Sequence, residues 1–296
     1  MPADLPLIEK VDRVAEKYLV CPESHHSLLI ESEAIKCSVC DFKGRIRDGV
    51  VVVVAENHTS FFDNKFEVMQ QGHRSDDGDW KLCYERQAQL LESILGPGQV
   101  VLDFGCGPLL PYTPPPEAFV IGLEPSFPSI RANRKVGLRV CGTATKIPLP
   151  EQSVDTAVGF YAVHHMIGQT IQENDAIVRR VFSELARVLK PGGSLLIFEV
   201  TPWRLVAPIQ RFLWNGAKRM MRDHLDMYFR SADSMSRLGR SELPNATLEV
   251  TDFKISPFAM LSPIFSLPKL RMPKMLYPLE MRLYKWRLPY ANGERS

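Results

Sequence analysis

The chain lacks any segment that could cross a membrane as a helix: its longest uninterrupted apolar run, Val50 to Ala55, falls far short of the ~20 residues a span needs. Its first residues do not show the basic-then-apolar order of a secretory signal, so the expected location is the cytoplasm. Cysteine is scarce. There are six in 296 residues, and three of them cluster at Cys21, Cys37 and Cys40, which is not how a disulfide framework is laid out in a chain of this length. Reduced thiols or a metal are the expectation. Net charge is also close to absent, at +2, although the balance is uneven. Residues 201–296 hold 16 Lys+Arg against 8 Asp+Glu, leaving 20 against 26 for residues 1–200. The basic surplus therefore sits at the back of the chain.

What is present, 45% hydrophobic and 24% charged residues, can bury one large core or a core plus a small appendage. No internal repeat is visible. Residues 1–56 bear the Cys/His cluster and end in "RDGVVVVVA", a β-branched run after an Asp-Gly turn signal. Residues 57–99 read as a linker rich in His, Asp and Gly, then an amphipathic helix around "WKLCYERQAQLLESIL". From Val100 onward, short apolar runs alternate with turns. Strands are expected at Val100 to Phe104, Phe119 to Glu124, Leu138 to Gly142, Thr156 to Ala162 and Ser194 to Val200, most of them too continuously apolar to keep a solvent face. "ENDAIVRRVFSELARVLKPGG" places Ile177, Val181, Leu185 and Val188 at helical spacing, with Pro191, Gly192 and Gly193 as the stop. Right-handed crossovers between such strands give an α/β, doubly wound, mostly parallel sheet.

In that architecture ligands sit at the carboxyl ends of the strands, which puts Asp103, Gly105, Cys106 and Gly107 at a crevice. A glycine turn there lets backbone approach a ligand, and Glu124, ending the next strand about 20 residues on, can accept hydrogen bonds from ribose hydroxyls. A dinucleotide would also need glycine at the sixth motif position and a helix start for its pyrophosphate. The chain has Leu110 there, and prolines at 108, 111, 114, 115 and 116. S-adenosylmethionine, which carries an amino acid in place of pyrophosphate, depends less on that helix.

These residues resemble the class I S-adenosylmethionine-dependent methyltransferases, in the branch acting on small molecules, quinones and lipids. "VLDFGCGP" is similar to the family's first motif, "VIGLEPS" to its acidic second-strand motif, "GTATKIPLPEQSVDTAVGFYAVHHM" to its adenine-binding and fourth-strand segment, and "ELARVLKPGGSLLIFEV" to its fifth helix and strand. The resemblance covers residues 100–200. It implies a Rossmann-like fold, Gly105 and Gly107 against the methionine portion, Asp103 orienting that loop, Glu124 on the ribose, Ala144 on the adenine, and Tyr161 and Ala162 beneath the sulfonium. Thr143 stands where relatives often place an adenine-binding Asp. His164 and His165 are the candidate bases, with strand capping as their alternative role and His73 as a third choice. Phe61, Phe62, Phe66 and Tyr84 are candidates for a cap, with ordinary core packing as the alternative for each.

"CPESHHSLLIESEAIKCSVCDFKGRIRDGVVVV" resembles the zinc-ribbon-like segment fused to some methyltransferases, including ribosomal RNA guanine methyltransferases, and the related small domain that activates others. Zinc prefers four tetrahedral N or S ligands in two short-spaced pairs. Cys37 and Cys40 make one pair. Ser24 breaks the other, leaving Cys21 with His25 or His26 to complete the set. The expected organisation is a ribbon-like domain at 1–56, a linker and cap helix at 57–99, a methyltransferase domain at 100–260 with a substrate-facing insertion at 201–247, and a basic extension at 261–296. A sixth strand is expected at about Leu248 to Ser256. The extension interleaves Lys and Arg with Leu, Met, Tyr and Trp, which suits peripheral membrane contact, an acidic substrate, RNA, or an edge packed on its own domain. The expected function is methyl transfer from S-adenosylmethionine to an O or C atom of a small-molecule or lipid-like acceptor. An RNA methyltransferase and a non-catalytic partner-binding module are the alternatives.

Overall fold

A computed structural model of the chain describes residues 14–55, 63, 78–222, 225–261 and 272–290. The linker residues Phe61, Phe62, Phe66 and His73 lie outside the described residues. At the amino end, four short strands form a meander: β1 (Leu28–Glu31), β2 (Ala34–Cys37), β3 (Lys43–Arg47) and β4 (Val50–Val52), antiparallel in sequence order. The Asp-Gly signal is the hinge of its last hairpin. Asp48 and Gly49 both take positive φ, 51° and 70°, the backbone a two-residue loop requires when it joins right-twisted strands.

The valine run that follows does more than close a ribbon. β4 pairs in parallel with β7 (Leu138–Cys141), Val51 opposite Val140 and Val52 opposite Cys141. β7 continues to β6 (Phe119–Glu124), β5 (Val100–Phe104), β8 (Val154–Phe160) and β9 (Leu189–Pro202), all parallel. The sheet then turns antiparallel through β13 (Leu279–Arg287) to β10 (Thr247–Phe253). Among the described residues these eleven strands form one sheet, with a separate two-stranded pair of β11 (Met260–Leu261) and β12 (Met272–Pro273). Leu19, Leu28, Ile35 and Ile46 of the amino-terminal part share one buried cluster with Ile121, Val140 and Phe182. Composition divides the chain near residue 56, whereas its sheet and its core run through that point.

Among the described residues, helices that pack around the strands include α1 (Gly78–Ile94), α2 (Phe127–Ala132), α3 (Ile171–Val188), α4 (Val206–Met221) and α5 (Ala232–Glu242). Residues 105–118 between β5 and β6 contain no helix, in keeping with their prolines. The buried stripe of α3 is Asn174, Val178, Val181, Phe182, Leu185 and Val188. It is rotated from the expected one, because Phe182 is the larger anchor and Ile177 is left half-buried. α3 ends at Val188, before the Pro-Gly-Gly stop, since Leu189 already pairs with Val154 across a bulge. β8 begins two residues earlier than expected and ends at Phe160. Among the described residues no helix is long and apolar enough to cross a membrane.

The carboxyl-terminal stretch needs correction. Its alternation of basic and apolar residues marks β13, an interior strand with Met281, Leu283, Tyr284 and Trp286 buried. The cations at Arg282 and Lys285 are taken up by neighbouring acids, Arg282 by Asp252 at 2.6 Å and Lys285 by Glu249 at 3.7 Å. Trp286 is fully buried. Its indole sits so close to α5 that a Cβ on Gly239 would lie 2.6 Å from it, and its ring meets Phe182 at 5.1 Å. Removing that ring leaves a cavity between α3, α5 and the sheet. Trp286→Ala is expected to cost about 3–5 kcal/mol, read as a lowered midpoint in chemical denaturation; a loss under ~1 kcal/mol would mean that β13 is peripheral.

Candidate functional site

The carboxyl ends of β5, β6, β7 and β8 collect the residues singled out in sequence. Asp103 is fixed by pairing opposite Gly122 on one side and Val158 on the other. Gly105 follows at φ 70° and Gly107 at φ 56°, both in the left-handed region where a side chain is strained. A Cβ on Gly105 would also meet the Ala162 Cβ at 2.6 Å, so only glycine lets the first loop lie against the end of β8. The Gly105 amide donates to Leu123 O at 2.7 Å. The Asn133 side chain holds the loop from behind, donating to Gly107 O at 3.0 Å.

The sulfur of Cys106, between the two glycines, packs in the core, 3.0 Å from where a Cβ on Gly122 would be. Burial drives its thiol well above the ordinary range.

The two acids are both buried, Asp103 at 1% exposure and Glu124 at 5%. Tyr112, brought back by the proline-rich loop, donates to Asp103 Oδ2 at 3.0 Å, while Asp103 Oδ1 has no hydrogen-bond partner among the described residues. Glu124 accepts from the Gly107 amide at 3.1 Å and the Ser126 amide at 3.0 Å. Burial pushes both carboxyls up to about 7. Two dry carboxyls with an orphaned oxygen form a site for a cation with hydrogen-bond donors. S-adenosylmethionine, with its ammonium, sulfonium and ribose hydroxyls, fits them; a pyrophosphate would face two like charges. Thr143 and Ala144 follow β7, half-buried beside Glu124, with the Thr143 hydroxyl 3.0 Å from that of Thr145.

Tyr161 stands immediately past β8 at φ 51°, a strained conformation for a bulky residue. Its hydroxyl donates to Gln87 Oε1 at 2.9 Å and accepts from Gln87 Nε2 at 2.7 Å. Its ring meets Tyr84 edge-on at 5.3 Å. Gln87 and Tyr84 belong to α1, which therefore closes over this strand end, with Tyr84 packed on a buried cluster that includes Val200 and Met281.

His164 and His165 lie on a single 3-10 turn, Val163–His165, and part company there. His164 is buried, its Nδ1 2.6 Å from Glu199 Oε1, and its amide donates to Glu199 Oε2 at 3.0 Å. An ionised carboxylate only accepts, so Nδ1 carries the proton and Nε2 keeps a lone pair. His165 Nδ1 lies 3.1 Å from Asp226 O, a contact that anchors the segment before α5. Glu199, Gln87 and Tyr112 went unnoticed in sequence. Of these, Glu199 left a signal, a lone acid inside the apolar run "LLIFEV".

In the amino-terminal meander the sulfur atoms of Cys21, Cys37 and Cys40 lie within 4.8 Å of one another, with Cys21 and Cys40 at 3.6 Å. A tetrahedral zinc shell with 2.3 Å bonds places sulfurs about 3.8 Å apart, so the three thiols fit. His25 is not the fourth member: its ring turns to Glu184, Nε2 to Oε2 at 3.9 Å. His26 Nδ1 sits 2.9 Å from Ser24 O. The hydroxyl of Ser24 takes the fourth corner, 3.2 Å from Cys37 Sγ and 3.7 Å from Cys40 Sγ. The Ser24 hydrogen bond brings the Cys37 thiol down to about 6.

Residues 102–197 match the family model described as "Methyltransferase domain". The chain is 33% identical over 115 residues to a tRNA (carboxymethyluridine(34)-5-O)-methyltransferase of Arabidopsis thaliana, covering 38% of this chain and 27% of that protein. It is 27% identical over 173 residues to an uncharacterized methyltransferase of Geobacillus sp. (strain WCH70), covering 55% and 78%. To 24-methylenesterol C-methyltransferase 3 of Arabidopsis thaliana it is 29% identical over 138 residues, covering 43% and 35%. The chain thus spans about a third or less of the tRNA and sterol enzymes. The fold is similar to that of Haemonchus contortus phosphoethanolamine N-methyltransferase 2 in its complex with phosphomonomethylethanolamine and S-adenosylhomocysteine, with TM-score 0.52 and 13% identity over 78% of this chain and 61% of that one.

The acids give the site a pH signature. Asp103 and Glu124 titrate near 7 when folded and near 4 when unfolded. Their contribution to stability is full below the unfolded value and is lost as pH rises through about 7. A ligand that brings an ammonium or hydroxyl donors to the two acids reverses that loss by favouring their ionised form. The rise in melting temperature caused by S-adenosylhomocysteine should therefore grow from pH 5.5 to pH 7.5, and Asp103→Asn should flatten the profile; a shift independent of pH would mean that neither carboxyl meets the ligand.

Proposed function

We propose that this chain, which carries a class I S-adenosylmethionine-dependent methyltransferase domain, methylates an oxygen or carbon atom of a small or lipid-like acceptor. The observation that carries the reading is the buried His164–Glu199 pair at the end of β8. Bound S-adenosylmethionine supplies an electrophilic methyl group for in-line displacement. The chain must then hold the acceptor in line, exclude water and, for a hydroxyl or an activated carbon acid, remove a proton. His164 Nε2 is free to take that proton, and Glu199 on Nδ1 steadies the imidazolium that results. Tyr84, Tyr161 and Phe229 belong to one apolar cluster with Val200, Tyr277 and Met281, which favours an apolar acceptor, with residues 201–247 contributing to its side of the site. The sterol C-methyltransferase among the relatives is in line with that choice. RNA is the second reading, supported by the tRNA-directed relative.

Calorimetric titration with S-adenosylhomocysteine tests the cofactor half. Micromolar binding lost in Glu124→Ala is expected, and no binding in the wild type would leave a non-catalytic, partner-binding protein. For the acceptor half, methyl transfer is assayed against sterols, quinols, phenols and a tRNA pool. His164→Gln is expected to lower turnover about 10²–10⁴-fold with cofactor affinity unchanged. Transfer to tRNA alone, weakened steeply by salt, would replace the small-molecule reading.

The ribbon-like part holds zinc through Cys21, Cys37 and Cys40, with Ser24 or a water at the fourth corner. Zinc there would tie β1–β3 together and carry no step of the reaction. One zinc per chain by elemental analysis is expected. Its removal by chelator, or Cys37→Ser, should lower the melting temperature while leaving affinity for S-adenosylhomocysteine within about threefold; a metal-free chain whose melting ignores chelator would remove zinc from the account.

A further inference from the structure

α4 turns the wrong side outward. Leu205 at its amino end, Ile209, Phe212, Leu213 and Met220 fall on one helix face, and all are exposed, Leu205, Phe212 and Met220 at 83, 86 and 80%. The other face carries Trp214 and Lys218, both buried, and Lys218 is consumed there, its Nζ donating to Arg222 O and Leu225 O at 2.8 and 2.9 Å. A surface helix ordinarily buries its apolar stripe. Single exposed apolar side chains need no explanation, but five large ones on one face do.

The helix itself carries charge of one sign. Residues 203–222 contain Arg204, Arg211, Lys218, Arg219 and Arg222, and no Asp or Glu. The four arginines are exposed. Arg211 is held only loosely by Asp175 at 3.8 Å. Further exposed apolar side chains adjoin the amino end of the helix. The Trp203 amide donates to Pro278 O at 2.9 Å, Lys274 Nζ lies 5.9 Å from the Trp203 ring, and Met275, Leu276 and Phe258 on that edge are exposed.

We infer that α4 and this adjoining edge form a docking face for a bilayer surface rich in anionic phospholipid. Apolar side chains entering the headgroup–acyl boundary and guanidiniums on lipid phosphates are the two halves of an interfacial helix. The stripe suits RNA poorly, because four of its five members are aliphatic or thioether chains that cannot stack on bases. A symmetric dimer through the same face would set the cations of one α4 against those of the other. The basic carboxyl-terminal strand is not part of this face: Arg282 and Lys285 are paired with acids of β10, and Arg287 lies over the Tyr290 ring. The inference does not depend on the cofactor or the acceptor.

The test is sedimentation of the full chain, without cofactor, with vesicles of phosphatidylcholine alone or mixed equally with phosphatidylglycerol. Binding about tenfold or more stronger to the anionic vesicles is expected, weakened by added salt. Ile209→Glu with Phe212→Glu should abolish it, and Arg219→Gln with Arg222→Gln should reduce it severalfold, with both variants melting as the wild type does. If the glutamate variant does not fold, the glutamine variant and the salt series decide alone. Absent binding, equal binding to both vesicle types, or variants that bind as the wild type would overturn the inference. So would a dimer in solution that Phe212→Glu dissociates, or a tRNA complex lost in the same variants while vesicles are ignored.

Discussion

Two carboxyl groups held out of water at the end of a buried sheet set the terms for the rest of this structure. A parallel sheet covered on both faces offers polar groups only at its strand ends, and here those ends bring Asp103 and Glu124 together with little solvent. Each would be costly as a bare anion. The backbone amides of Gly107 and Ser126 and the hydroxyl of Tyr112 supply part of what water would have given. The loop therefore dispenses with a helix. Its prolines serve to return Tyr112 to Asp103, and what remains unsatisfied, Asp103 Oδ1, is what a cationic cofactor brings to the site.

The amino-terminal meander bears on the same crevice. β4 continues the sheet beyond β7, and the Val53 amide donates to Cys141 O at 2.9 Å. Where β7 ends, a Cβ on Gly142 would strike Val53 and Leu123. Thr143 and Ala144 therefore start from a position fixed by β4 and β6 together. Further along, Lys146 reaches back to Glu23 at 2.6 Å, an exposed pair of small energetic weight that still defines where the loop lies. The meander is thus part of the wall against which residues 143–146 lie.

Sequence carried the central strands well, because continuous apolar runs between turns have few other places to go. It also carried which residues stand at the carboxyl ends of the strands, Gly105, Glu124 and Tyr161 among them. It failed where a residue's meaning depends on a partner distant in the chain. Trp286 and Tyr284 look like a basic-aromatic surface until β9 and β10 are placed on either side of β13. Gln87 is an ordinary helix residue until Tyr161 arrives 74 positions later. His25 has ligand spacing, but the same short turn that brings Ser24 to the thiols aims the next ring at Glu184. Ile177 shows that periodicity finds a helix more reliably than it finds which side of the helix is buried.

The position of the His164–Glu199 pair depends on a residue outside it. Arg230 is buried at 2% exposure and donates to three carbonyls, Val163 O, Met166 O and Asn174 O. Burial lowers it to about 10, so it stays charged at neutral pH. Its guanidinium pins both ends of the turn that carries His164, while the amides of His164 and Val200 donate to Glu199. One buried side chain thus satisfies three carbonyls around that turn, and the ring of His164 is set by contacts with distant parts of the chain as much as by its own neighbours.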